Sequence, residues 1–135
     1  MTGAITFPDA DLDVDPNQPY LNCNSNPMQG LKVAIGPLRD VQVGAVLNIS
    51  WEGFEDKEST KPVKGTLNSV THFVTEDDRE KGFVVKIGDY FQHLKPIRSG
   101  WGKASYTING AGIIDASLRV YLIYPSGDFC DEVTD

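Results

Sequence analysis

The stretch Ser117-Leu118-Arg119-Val120-Tyr121-Leu122-Ile123-Tyr124 decides the fold. Leu118, Val120, Leu122 and Tyr124 fall on one face of a period-two pattern, and Arg119, Tyr121 and Ile123 on the other. That period belongs to a β-strand and not to a helix. A strand that is apolar on both faces sits at the centre of a sheet, or its outer face meets another subunit. The last strand is therefore an expected route to a homo-oligomer.

The same period recurs upstream. Ala104, Tyr106 and Ile108 alternate with Ser105 and Thr107. They are followed by the hairpin-favouring pair Asn109-Gly110, although the run to Ser117 reads as a loop longer than two residues. Phe83, Val85 and Ile87 form a further set, and Leu47, Ile49 and Trp51 another. Leu31, Val33 and Ile35 form one more, and residues 67–74 are rich in β-branched and aromatic side chains. Residues 52–64 read as a long polar loop, and residues 90–99, interrupted by Pro96, fit neither template. Glu76-Asp77-Asp78-Arg79-Glu80-Lys81 predicts a single helical turn capped by Thr75. About seven strands with frequent turn signals and no amphipathic helix predict an all-β antiparallel sandwich. It is expected to span residues 30–135, behind an irregular arm (1–29) rich in Asp, Pro and Asn. A short edge strand within residues 4–7 is an equal alternative to a mobile arm there.

With 135 residues, 40% of them hydrophobic and 23% charged, the chain fits one globular domain. A net charge of −7 repels phosphate backbones and anionic lipid surfaces, so nucleic acid and membrane partners are not expected. No run of about 18 apolar residues predicts membrane insertion. The N-terminus shows no secretory signal, which leaves two destinations open: the cytoplasm, or the exterior by a route without a visible signal.

The segments Leu31-Lys32-Val33-Ala34-Ile35 and Val43-Gly44-Ala45-Val46-Leu47-Asn48-Ile49-Ser50-Trp51-Glu52-Gly53 resemble the opening strands of bacterial immunoglobulin-like modules. Residues 104–108 and 117–124 resemble their last two strands, so the likeness covers about residues 30–125. The resemblance implies a structural or adhesive β-sandwich with Trp51 in its core. It does not extend to the paired core cysteines of antibody-type domains, because Cys23 and Cys130 fall outside the expected strands.

Candidate sites divide by chemistry. Asp9, Asp11, Asp13 and Asp15, with Asn17, offer the hard oxygen ligands that Ca²⁺ takes. In an extended arm, however, alternate carboxylates stand about 7 Å apart, and the ladder then reads as a solvated acidic face. His72 and His93 have no zinc spacing, no G-x-S-x-G elbow is present, and Gly100-Trp101-Gly102 lacks the Lys-Ser/Thr of a phosphate loop. No catalytic residue and no cofactor is expected. Trp101, Tyr106 and Tyr121 are the expected ligand-binding rings, Trp101 as an exposed ring in a glycine loop or, equally, as a cap on one end of the core. Cys23 and Cys130 read as two thiols in a reduced compartment, with a disulfide as the alternative. The expectation is a non-catalytic protein-binding or adhesive module, and the alternative a carbohydrate-binding one.

Overall fold

The computed structural model describes residues 3–11 and 18–131, with Ile113 given by its backbone alone. Within these residues the chain forms eight strands: β1 (Ile5–Thr6), β2 (Tyr20–Asn22), β3 (Leu31–Ile35), β4 (Val46–Phe54), β5 (Asn68–Phe73), β6 (Phe83–Gly88), β7 (Ser99–Ile108) and β8 (Ala111–Tyr121). One short helix, α1 (Glu76–Lys81), joins β5 to β6. A three-stranded sheet runs β1-β3-β6 and a five-stranded sheet β2-β8-β7-β4-β5. The protein is thus mostly β, in two sheets. Among the described residues, no helix is long and apolar enough to cross a membrane.

The alternation legible in sequence is what packs the sheets. Leu31, Val33, Ile35 and Ile87 from the smaller sheet share one core cluster with Leu47, Ile49, Trp51, Ala104, Leu118 and Val120 from the larger. Trp51 is fully buried, and its indole N–H donates to the His93 carbonyl at 3.1 Å, so its one polar atom is satisfied. Room for the ring comes from Gly102, where a Cβ would lie 1.9 Å from the indole. Gly53 and Gly100 make similar space for Ile97.

The segment expected as an irregular arm takes part in both sheets. β1 pairs with β3, Ile5 and Leu21 are core residues, and β2 lies parallel to β8. That parallel pair departs from the all-antiparallel expectation. The run after Ile108 is a two-residue hairpin and not a longer loop: Asn109 and Gly110 have φ of 51° and 81°, and β8 starts at Ala111. The Asn109 side chain also accepts the Val46 N–H at 2.9 Å, which fixes the turn to β4. β4 runs on to Phe54, into the stretch read as loop, and residues 90–94 coil into a wide π turn before a 3₁₀ turn (Lys95–Ile97). Thr75 caps α1 as its sequence indicates, its hydroxyl accepting the Asp78 N–H and the Asp78 carboxylate accepting the Thr75 N–H.

Candidate outer-face site on the five-stranded sheet

Gly100, Gly102, Ala104 and Tyr106 all turn inward on β7, so Trp101, Lys103 and Ser105 are directed to the outer face. Trp101 therefore stands on a regular strand and not in a glycine loop. In register it lies between Phe54 of β4 and Arg119 of β8, and Arg119 lies beside Tyr20 of β2. A row of rings and one guanidinium thus crosses four strands.

The geometry of this row is specific. The Arg119 guanidinium carbon is 5.6 Å from the centre of the Trp101 ring system and 5.8 Å from that of Tyr121. Lys57, carried on the connection after β4, places its Nζ 5.6 Å from the same indole. Each such contact is worth roughly 0.5–1 kcal/mol where solvent reaches it. Arg119 is held from below: its guanidinium donates to the Gly100 carbonyl, to the Val120 carbonyl at 3.0 Å and to Ser99 Oγ at 3.1 Å. Tyr121 remains 39% exposed, and Trp101 is half-buried. Away from this row much of the face is polar, with Phe73 at the end of β5 as an exposed apolar exception. Ser50 and Ser69 are hydrogen-bonded at 2.9 Å, Thr71 donates to Asn48 at 3.3 Å, and Lys103 pairs with Asp115 at 3.6 Å.

The structure brings Trp101 and Tyr121 together through Arg119, but it removes Tyr106 from the expected ligand-binding set. Tyr106 is 1% exposed, and its hydroxyl donates to the Gly3 carbonyl, tying the N-terminal strand onto β7. Burial, then the nearby Asp40 charge, pushes its phenol up to about 12. Arg119 and Lys57 were missed from sequence. Arg119 carried a usable signal, since it shares a face of the final strand with Tyr121. The position of Lys57 depends on how the loop after β4 folds back.

The other expected sites are placed as follows. Asp11 pairs by its backbone with Tyr20, and its carboxylate accepts from the Asn22 amide at 3.1 Å. Asp13, Asp15 and Asn17 lie outside the described residues. Among the described residues, no group of three or more His, Cys, Asp or Glu converges as a metal site would require. Cys23 and Cys130 are joined in a disulfide with Cα atoms 5.3 Å apart. β8 is paired on both edges, with β2 and β7, so only its outer face remains for an oligomer contact. His72 Nε2 lies 2.7 Å from the Asp78 carboxylate. Burial pushes the Asp78 carboxyl up, but hydrogen bonds from the Thr75 N–H, His72 and the Thr75 hydroxyl outweigh it and hold the group below its ordinary range. No family model, curated protein or solved structure matches the chain.

Proposed function

We propose that the chain is a non-catalytic, immunoglobulin-like β-sandwich module that binds a protein partner through the Trp101–Arg119–Tyr121 row. The observation that carries this reading is the guanidinium held between two outward rings. Trp, Tyr and Arg dominate binding hot spots because they present large amphipathic contact areas, and of the three Arg has the most rotamer freedom to lose when covered. Here the hydrogen bonds beneath Arg119 have already met much of that ordering cost. Arg119 and Lys57 also concentrate positive charge on one patch of a chain whose net charge is −7, so the fitting partner surface is acidic with an apolar centre. The disulfide supports work in an oxidising compartment, as a secreted or surface-displayed module has.

A carbohydrate ligand is the second reading. It is favoured by the Ser, Thr and Asn side chains that line the same face farther along β4 and β5, since hydroxyls and amides are natural partners for sugar hydroxyls. Selection from a displayed peptide library, run beside a glycan array, separates the two, with Trp101→Ala and Arg119→Ala as controls. Acidic, aromatic-containing peptides that bind the parent chain and not the variants support the protein reading. Glycan binding that both substitutions abolish moves the function to sugars, and ligands indifferent to both variants remove this face from consideration.

A further inference from the structure

Among the described residues the five-stranded sheet ends at β5, and β5 has no charged residue, proline or bulge of the kind that normally blunts an edge. The other edges are protected. β1 spans two residues, β2 spans three and follows Pro19, and β6 carries Lys86 directly opposite Lys32 of β3, with a register shift beside it. By contrast, Asn68-Ser69-Val70-Thr71-His72-Phe73 contains no Lys, Arg, Asp, Glu or Pro, and its pairing with β4 has no irregularity.

The backbone alternation shows what this edge offers. The Val74 N–H donates to the Ala45 carbonyl at 3.0 Å, and the Val74 carbonyl accepts the Gly44 N–H at 2.8 Å. Antiparallel alternation then turns the backbone groups of His72, Val70 and Asn68 toward β4, and those of Phe73, Thr71 and Ser69 away from it. Among the described residues no strand lies beyond them. The side chains of these outward residues also lie on the exposed face, where Phe73 is 62% exposed, and Leu67, just before the strand, is 59% exposed.

We propose that β5 pairs antiparallel with β5 of a second copy of this chain, about a twofold axis through Val70. In that register Ser69 faces the partner's Thr71 and Leu67 faces the partner's Phe73, and each pair occurs twice. The edge is self-complementary there: hydroxyls meet hydroxyls, and the two exposed apolar side chains cover one another. A register centred on Thr71 sets Phe73 against Ser69 and leaves Leu67 opposite Thr75. The apolar pairs therefore select Val70 as the centre. The result is a ten-stranded sheet across two copies, formed by strand addition.

Sedimentation velocity of the full chain, from micromolar to millimolar, should show a reversible monomer–dimer equilibrium. Amide exchange at Ser69, Thr71 and Phe73 should slow as concentration rises, while Val70 and His72 stay protected throughout. Thr71→Pro removes an outward donor and spares the ladder to β4. It should weaken association roughly thirtyfold, one hydrogen bond being lost on each side of the axis. Thr71→Lys serves the same purpose should the proline variant not fold. A cysteine at Ser69 should cross-link to one at Thr71 in the other copy, and Thr71→Cys alone should not self-link. A monomer at every concentration, or a dimer in which those three amides exchange unchanged, overturns the proposal. So does a dimer indifferent to Thr71→Lys. Trp101→Ala should leave the dimer intact, so failure of the hot-spot reading and failure of this one are distinguishable.

Discussion

Removing the Cys23–Cys130 bridge tests how much of the fold depends on one covalent link between the ends of the chain. The two residues are 107 positions apart, so the bridge closes nearly the whole molecule into a loop. In the chain-entropy treatment, opening a loop of this length returns about 4–5 kcal/mol of freedom to the unfolded state. Unfolding entropy of about 2.1 cal/mol/K per residue makes roughly 0.28 kcal/mol/K for the 135 residues, so the expected fall in Tm is about 15 °C. Some native contacts survive the change. The Cys130 N–H donates to the Leu122 carbonyl at 3.2 Å, and Asp131 accepts from Tyr90 at 2.7 Å and from Lys95 at 3.0 Å. The loss should therefore act mainly through the unfolded state, with the tail still docked. Calorimetry of Cys23→Ser/Cys130→Ser beside the parent chain gives the shift. Urea titration should show a steeper slope in the variant, because its unfolded chain expands further. A Tm fall below about 3 °C, worth near 1 kcal/mol, would refute the loop-closure reasoning. A normal slope with a large fall would place the effect in native packing instead.

Two further substitutions probe the core behind the candidate site. Gly102→Ala drives a Cβ into the Trp51 indole, and that ring, fully buried and hydrogen-bonded, has nowhere to move. A loss of about 3 kcal/mol or more is expected in urea unfolding, and a near-neutral result would mean that the β4–β7 spacing is softer than its contacts indicate. Tyr106→Phe leaves the Gly3 carbonyl without its donor and should cost about 1–3 kcal/mol. The sign of the pH effect follows from the raised phenol. Its contribution is fully present below pH 10, then declines up to about 12, because the unfolded chain ionises first. Urea midpoints across that window should fall more steeply for the parent than for Tyr106→Phe, and parallel curves would remove Tyr106 as the cause.

Much of the architecture was legible because burial writes itself into alternation. β3, β4 and β6 each carry their core-facing residues at every second position, as do Gly100 to Tyr106 of β7 and Leu118 to Val120 of β8. Where that signal was missing, the cause is physical. β1 and β2 are too short to show a period and exist because β3 and β8 offer them edges. Ala111, Gly112 and Asp115 are small or polar residues outside the core, so the start of β8 read as loop although the Asn109-Gly110 turn ahead of it was visible. Tyr106 shares a face with Ala104, and that periodicity already placed its ring inside. The excess of aromatic residues argued for a ligand role, which was the weaker inference. The Cys23–Cys130 pairing depends on β2 lying along β8, a long-range contact that no local pattern encodes.

Trp101 is the most instructive case, because its outward position follows from an event on the other side of the sheet. Gly100 and Gly102 resemble loop residues on propensity alone, but they are glycines because Ile97, the Phe54 carbonyl and the Trp51 ring occupy the space a side chain would need. With both neighbours required to be empty and inward, the residue between them must face out. A slip of one position would drive Trp101 into the volume Trp51 already fills and would strip the outer face of its ring. The same packing therefore sets the strand register and the exposed row. Trp51→Phe, which shortens the buried ring, should relax that constraint. The expected consequence is faster amide exchange along β7 and weakened cation–π geometry at Arg119, visible as a change in Trp101 fluorescence. An unchanged Trp101 signal together with slowed or unaltered exchange would show that β4 and β8, each through its pairing with β7, hold the row without help from the core.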